Sequence, residues 1–225
     1  MLRALKTEGD FVNETVDAYC ERLDSSFWSE PVNAITNLAF IVAAVLAALL
    51  WRDSASRSAG GLVLVALIAA IGVGSFLFHT FATGWAGAAD TLPILIFILV
   101  CLYLAVRHYL ALPVWASLTV TVGFVPVSIV LVPLLVPIAG SSAGYLPALF
   151  AILIIGFLMR GRDVTVSVSL LITGIVFFIS IGFRMADEPL CDTLPLGTHF
   201  MWHILNAVVL YRLAALYIAW SDRHA

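Results

Sequence analysis

The sequence predicts an all-α membrane protein, a bundle of seven transmembrane helices with the N-terminus outside and the C-terminus in the cytoplasm. Of its 225 residues, 62% are hydrophobic and only 11% are charged, whereas soluble globular domains carry about 25% charged residues. Seven apolar stretches approach the length of about 20 residues that crosses a bilayer as a helix. Apart from Arg184, which three acidic residues of its loop outweigh, the arginines of the loops lie in alternate loops between these stretches, and this asymmetry gives the orientation.

The predicted spans fill most of the chain, between an acidic extracytoplasmic tail at residues 1–31 and a short cytoplasmic tail at residues 221–225. The membrane bundle therefore occupies residues 32–220. The fourth and fifth spans are the least regular, because Pro126, Pro133 and Pro137 interrupt them. In order, the spans are predicted at residues 32–51, 60–82, 88–107, 113–135, 144–160, 164–183 and 198–220.

Loop charges separate the two sides of the membrane. Loops at 83–87 and 136–143 carry no charge, and the loop at 184–197 is mainly acidic. Since lysine and arginine concentrate in cytoplasmic loops, these three loops are predicted to be outside. The predicted cytoplasmic set consists of Arg52, Arg57, Arg107, Arg160, Arg162, Arg212 and Arg223.

Composition also narrows the location and the partners. The tail has no apolar segment of the kind found in a cleavable signal peptide. Short loops and many Ala, Val and Gly residues favour a bacterial inner membrane. The net charge of −3 and the lack of a basic patch give no indication of a nucleic-acid partner, and no feature indicates a protein partner.

Cysteines occur once in the tail and once in the last outer loop. Cys20 and Cys191 both face an oxidising compartment in this orientation, where disulfides form. A bridge between them would tie the tail to the loop that precedes the seventh span. Cys101 lies in the middle of the third span and is predicted to be a buried free thiol.

A polar stripe leads into the first span. Glu30, Asn33 and Asn37 follow at i, i+3 and i+7, so they share one helical face. Such a stripe on a membrane helix must face the bundle interior or water. Two interpretations fit this stripe: a functional site, or hydrogen bonds that pack the helix against its neighbours.

Histidines in two separate spans are predicted to lie at the same membrane depth. His199 and His203 are four residues apart at the outer start of the seventh span, so they share a face. His79 lies at the outer end of the second span. Three imidazoles suit zinc, and three protein ligands leave the fourth tetrahedral position to water.

Other polar residues cluster with these histidines in the predicted topology. Asp90, at the outer start of the third span, is a candidate to accept a proton from the water; as a fourth ligand it would make the site structural. Ser75, four residues before His79, is a candidate hydrogen-bond donor to the water or to an oxyanion. Asn206 shares the face of His203 and is a candidate to orient an imidazole or to link two helices.

Five short motifs in this order resemble the alkaline ceramidases, seven-span members of a superfamily of membrane hydrolases. That superfamily also includes the adiponectin/progestin receptors and the lipid-remodelling phospholipases of glycosylphosphatidylinositol anchors. The resemblance extends from about residue 17 to residue 206. The motifs are Tyr19-Cys20-Glu21, residues 30–37, Ser75 with His79, Asp90-Thr91-Leu92-Pro93, and His199 with His203.

The resemblance implies a zinc amidase that cleaves the N-acyl bond of ceramide into sphingosine and a fatty acid. It implies that the three histidines hold zinc, with Ser75 and Asp90 around the water, and it supports the disulfide. It also implies a calcium site in the tail, since carboxylates are suitable calcium ligands; a solvated acidic tail is the alternative. The candidate calcium ligands are Asp17, Glu21, Asp24 and Glu30.

Three other functions remain open at this point. A phospholipase-like hydrolase acting on a lipid ester would use the same zinc chemistry. A seven-span receptor or sensor would carry structural zinc, although the short cytoplasmic loops offer no signalling domain. A transporter would need access from both sides, whereas these polar groups gather on one. For the hydrolase, the expected partner is a ceramide-like lipid that enters from the bilayer.

Overall fold

Eight α-helices run through residues 13–225, the part of the chain that the computed structural model describes. A π-helical turn at Ala105–Tyr109 extends the fourth helix, and short 3₁₀ helices lie at Gly140–Tyr145, Met159–Gly161 and Glu188–Leu190. The α-helices are α1 Pro31–Thr36, α2 Leu38–Asp53, α3 Ala59–Phe81, α4 Gly84–Leu104, α5 Val114–Ala139, α6 Leu146–Leu158, α7 Val164–Ala186 and α8 His199–Arg223.

The helical segments are long and apolar, as a multi-pass membrane protein requires. Six segments are long and apolar enough to cross a bilayer within the described residues. Their outward faces expose large apolar side chains such as Trp115, Leu134 and Ile138, which a bilayer would cover. The segments are Pro31–Asp53, Ala59–Phe81, Gly84–Tyr109, Val114–Gly161, Val164–Ala186 and His199–Arg223.

The segment Val114–Gly161 contains a reversal of the chain. Its 48 residues would form a helix about 72 Å long at 1.5 Å per residue, whereas a hydrocarbon core is about 30 Å thick. Gly140, between α5 and α6, has a φ of +53°, which favours glycine. The guanidinium of Arg162, just after the segment, donates to the carbonyl of Leu110, just before it, at 3.3 Å. The two ends therefore lie together, and the chain turns back between α5 and α6.

A tight connection joins α3 to α4 and holds the tail. Ala82 and Thr83 alone separate the two helices, and Ala82 adopts a left-handed conformation with φ of 46°. The backbone N–H of Val16 donates to the carbonyl of Ala82 at 2.7 Å, next to an isolated β-bridge between Thr15 and Thr83. The tail is therefore fixed against the end of α3.

Helix α4 approaches α3 very closely at Gly74. A Cβ atom at this position would overlap the carbonyl group of Ala89 and crowd the backbone nitrogen of Asp90. Only glycine allows the two helices to come this close at this position. Small residues have the same role at many contacts between membrane helices. The contact sets the position of Asp90 relative to α3.

A continuous apolar core lies below this region, between α2, α3, α4 and α8. It includes Phe40 and Ala47 from α2, Ile68 from α3, Phe97 from α4 and Ala214 from α8. All of these side chains are buried. The core fixes the helices whose ends carry the polar residues described next.

Candidate metal centre

Three buried histidines meet at one end of the bundle. His79 lies in the last turn of α3, while His199 and His203 occupy the first two turns of α8. Each is at most 2% exposed. One ring nitrogen from each lies within 4.8 Å of those of the other two, and the ring centroids are 4.7 to 5.2 Å apart. Within residues 13–225, no other group of three or more His, Cys, Asp or Glu side chains converges in this way.

The histidines present nitrogens that lack a partner. Nε2 of His79, Nδ1 of His199 and Nε2 of His203 are buried and accept or donate no hydrogen bond. Leaving a polar atom buried without a partner is costly, so such atoms usually have one. A metal ion bound by three imidazoles would satisfy all three, and nitrogen ligands of this kind suit zinc. The residues therefore fit a metal ion.

The other nitrogen of His79 is fixed by a carboxylate. Oε2 of Glu30 lies 2.6 Å from Nδ1 of His79, and Oε1 accepts a 2.5 Å hydrogen bond from Nε of Arg22. Burial opposes ionisation of Glu30, but the contacts with His79 and Arg22 hold the pKa of this carboxyl below its ordinary value. An ionised Glu30 accepts the Nδ1–H of His79, which leaves the Nε2 lone pair for a metal.

His203 is oriented in the same way by a hydroxyl. Oγ1 of Thr36 lies 2.9 Å from Nδ1 of His203 and also 2.8 Å from the carbonyl of Val32. A hydroxyl has one proton to donate. Thr36 donates it to the carbonyl and accepts the Nδ1–H of His203, so Nε2 carries the free lone pair.

His199 is held through its backbone and its ring face. The buried carboxylate of Asp187 accepts hydrogen bonds from the backbone N–H groups of Thr198 at 2.6 Å and His199 at 2.9 Å. These donors belong to the start of α8, where N–H groups lack partners within the helix. The ring of Tyr19 stacks on the His199 imidazole at a centroid distance of 3.8 Å. The backbone and the imidazole ring of His199 are therefore both held in place.

The backbone around Asp187 is shaped to receive this carboxylate. Gly197 has a φ of +66°, and a Cβ atom there would overlap Oδ1 of Asp187. Oδ2 of Asp187 accepts a hydrogen bond from the backbone N–H of Cys20 at 3.1 Å. Cys20 forms a disulfide with Cys191. The tail, the loop before α8 and the first turn of α8 thus meet at one side chain.

Asp90 and Ser75 lie beside the histidines without joining them. Ser75 is buried one turn before His79, and its hydroxyl neighbours the Asp90 carboxylate. Oδ1 of Asp90 is buried and has no hydrogen-bond partner. Since no oxygen of Asp90 lies within 4.8 Å of all three histidine ligand atoms, the candidate ligands are the three histidines alone. A metal held by three protein ligands would keep a position for water, as is typical of catalytic metal sites.

From residue 13 onwards, where the structure describes the tail, its acidic side chains do not gather into a second metal site. The Glu21 carboxylate accepts the backbone N–H groups of Val32 at 2.6 Å and Asn33 at 2.8 Å, at the start of α1. Asp17 is exposed, and Asp24 is exposed and accepts the N–H of Ser26 at 2.8 Å. Glu30 is occupied by Arg22 and His79, as described above. Calcium needs six to eight oxygen ligands, and these residues do not fit it.

The remaining polar residues of the predicted site have separate contacts. Nδ2 of Asn33 donates to Glu30 at 3.2 Å, and Nδ2 of Asn37 donates to the carbonyl of Asn33 at 2.9 Å. Asn206 is buried one turn below His203 and lines an apolar cavity. Sequence reasoning did not identify Arg22, Thr36 or Asp187, because their contacts with His79, His203 and Cys20 join residues 57 to 167 positions apart.

The apolar cavity begins directly below the metal centre. Its wall extends along α8 from Asn206 to Tyr217, which corresponds to about 17 Å at 1.5 Å per residue. On α4 it begins at Ile94, one turn after Asp90, and includes the free thiol of Cys101. Further lining residues are Phe97, Ile98, Phe124, Phe177, Val209 and Leu213.

Comparison with known proteins gives one match of broad extent. A protein-family model described as Ceramidase matches residues 14–224. No individual curated protein matches the chain. The matched range includes the three histidines, Ser75, Asp90 and both bridged cysteines.

Proposed function

Because the chain belongs to the ceramidase family, we propose that it is a zinc-dependent membrane amidase that hydrolyses the N-acyl bond of ceramide. The products are a sphingoid base and a fatty acid. One observation carries the proposal: three buried histidine nitrogens without partners converge next to a buried carboxylate oxygen that also has none. That combination suits a metal-assisted hydrolase better than a closed structural site.

Each residue of the site has a defined task in this reaction. Zinc, when bound, supplies Lewis acidity and lowers the pKa of a bound water to about 7. Asp90 accepts the proton of the water that adds to the amide carbonyl, and later donates it to the nitrogen as the C–N bond breaks. Ser75, beside Asp90, donates a hydrogen bond to the oxyanion of the tetrahedral intermediate. Glu30 and Thr36 keep His79 and His203 in the tautomers that face the metal.

The apolar cavity supports a lipid substrate. A cavity whose wall follows α8 for about 17 Å, lined by aliphatic and aromatic side chains, begins one turn from both Asp90 and His203. A hydrocarbon chain placed there would hold its polar end at the metal centre. We propose that a ceramide-like lipid enters sideways from the bilayer with its acyl chain in this cavity.

The topology we propose has seven crossings, with the N-terminus outside. The chain reversal between α5 and α6 divides Val114–Gly161 into two crossings. The disulfide Cys20–Cys191 lies at the same end of the bundle as the histidines, and disulfides persist in oxidising compartments. This supports an extracytoplasmic site, as the distribution of arginines predicts. A bacterial inner membrane is the location we propose.

The deciding experiment combines metal analysis with a lipid assay on purified protein. We expect about one zinc ion per chain and hydrolysis of ceramides but not of glycerophospholipids. His199→Ala should lose both zinc and hydrolysis. Asp90→Asn should keep zinc and lose about 10²- to 10⁴-fold in rate, the usual contribution of a general base.

The matched control is Asp53→Asn, because Asp53 lies on the exposed surface and pairs with its neighbour Arg52. It should behave as wild type in both measurements. Full hydrolysis by a zinc-free His199→Ala protein would end the proposal. Cleavage of ester lipids alone would instead favour the phospholipase-like alternative, and bound zinc without turnover of either lipid would favour a receptor.

A further inference from the structure

A buried guanidinium lies directly behind the metal centre. The side chain of Arg22 is 2% exposed and donates hydrogen bonds in three directions. Nε contacts Oε1 of Glu30 at 2.5 Å, one terminal nitrogen contacts the carbonyl of Asp24 at 3.1 Å, and the other contacts the carbonyl of His79 at 3.2 Å. The cation thus joins the tail, the residue before α1 and the end of α3.

Arg22 and Glu30 compensate each other electrostatically. A buried carboxylate or guanidinium without a partner is strongly unfavourable. Glu30 is 2% exposed and also contacts His79, so its charge controls the metal-facing tautomer of that ring. Arg22 therefore acts on the metal centre through Glu30, and it also holds the backbone of His79 directly.

The contacts around Arg22 leave no place for a divalent cation beside Glu21 and Glu30. Both oxygens of Glu21 accept backbone N–H groups, and both oxygens of Glu30 are occupied by Arg22, Asn33 and His79. The carbonyl oxygens of Asp24 and His79, which a hard cation would otherwise use, face the guanidinium instead. A calcium ion there would also be repelled by the positive charge of Arg22.

We propose that Arg22 is a positioning residue of the metal centre and a permanent cation in the place where the family resemblance implies calcium. The protein therefore needs no calcium to fold, to bind its metal or to act. Only the statement about activity rests on the proposed function, because folding and metal binding can be measured without a substrate.

The first test uses the wild-type protein. Divalent metals are removed with a chelating resin, the protein is titrated with Co²⁺, and the visible absorption of the bound ion is recorded with and without millimolar Ca²⁺. We expect the same Co²⁺ affinity, the same Tm and the same lipid turnover at all calcium concentrations. Stoichiometric binding of radioactive calcium, or a rise in Tm or Co²⁺ affinity on adding calcium, would overturn the proposal.

The second test changes the cation itself. Arg22→Gln should weaken Co²⁺ binding by about tenfold or more, as loss of outer contacts to a metal ligand does, and should lower Tm. Arg22→Lys keeps the charge and should lose less affinity. Arg52→Gln is the control, because Arg52 lies on the exposed surface and should leave all values unchanged.

The outcomes separate this inference from the proposed function. Wild-type Co²⁺ affinity and Tm in Arg22→Gln would overturn the positioning role, whatever the lipid assay gives. If Arg22→Gln does not fold, the wild-type calcium titration decides. Absence of ceramide hydrolysis in every protein would contradict the proposed function and leave the Co²⁺ and calcium results unaffected.

Discussion

Oε2 of Glu30 lies 2.6 Å from Nδ1 of His79, although the two residues are 49 positions apart in the chain. Glu30 is the first member of the polar stripe that leads into the membrane, and Asn33 follows it with a hydrogen bond to the same oxygen. The stripe therefore holds His79, one of the three candidate metal ligands, and does more than fill a helix contact.

Replacing Glu30 by Gln tests this support. The amide can still accept the Nδ1–H of His79 but leaves the buried Arg22 without a counter-charge, so we expect lower stability and weaker metal binding. The loss of affinity should be about 10- to 100-fold, measured by Co²⁺ titration of the metal-free protein. Asp53→Asn removes a carboxylate from an exposed pair and is the control; equal Co²⁺ affinity in both variants would contradict the prediction.

Thr36 allows a sharper test of tautomer control, because serine and valine differ from it in opposite ways. Thr36→Ser keeps the hydroxyl that accepts Nδ1–H of His203 and should bind Co²⁺ as wild type does. Thr36→Val keeps the shape but leaves that N–H buried and unpaired, which costs about 1–3 kcal/mol. We expect a roughly tenfold or greater loss of Co²⁺ affinity for valine alone. Similar affinities for the two variants would mean that Thr36 does not orient the ring.

Much of the metal centre could be predicted because its signals are local. The four-residue spacing of His199 and His203 places them on one face, and the alternating arginines place His79 and Asp90 at the same depth. The structure brings the three histidines within 4.8 Å of one another. The all-helical, multi-pass character and the family membership predicted from the sequence are confirmed.

The supporting residues could not be predicted, since they depend on contacts across the whole chain. Thr36 and His203 are 167 positions apart, and no periodicity links them. Asn206, which the sequence predicts either to orient an imidazole or to link two helices, lines the cavity one turn below His203. Nδ1 of His203 points towards α1, where the hydroxyl of Thr36 accepts its N–H. The chain reversal near Gly140, by contrast, lies within the loop predicted at residues 136–143; α5 continues past the predicted end of its span, through Pro137 to Ala139.

The contacts of Asp187 predict that the tail and the metal centre are structurally linked. Its carboxylate accepts N–H groups from Cys20, Thr198 and His199, and each donor left buried and unpaired costs about 1–3 kcal/mol. Asp187→Ala should therefore lower Tm markedly and weaken Co²⁺ binding, as the first turn of α8 loses its anchor. Glu188→Ala is the matched control, because Glu188 is the exposed neighbour. Thermal unfolding of both variants at equal metal loading measures the difference; equal Tm values would exclude the anchor.

The close contact of α3 and α4 at Gly74 gives a way to disturb Asp90 without touching it. In Gly74→Ala the new Cβ would overlap the carbonyl of Ala89, so α4 must move away from α3 and carry Asp90 with it. The three histidines belong to α3 and α8, so Co²⁺ affinity should stay near that of wild type. The rate of ceramide hydrolysis should fall by about 10²-fold, as expected for a displacement of about 1 Å in a reacting group. Gly123→Ala is the control, since a Cβ there meets no atom within 4 Å.

A double-mutant cycle then identifies the cause of the loss. If Gly74→Ala acts by displacing the general base, it should add little to the loss already caused by Asp90→Asn, because both changes remove the same contribution. kcat/KM is measured for wild type, the two single variants and the double variant, with Co²⁺ titration of each as a check on the centre. Losses that multiply independently would show that Gly74 serves the reaction by another route. If Gly74→Ala keeps metal binding and wild-type kcat/KM, the reaction tolerates a displacement of Asp90. A carboxylate that transfers a proton must lie at a fixed distance from its partner, so this result would contradict the role of Asp90 as the general base.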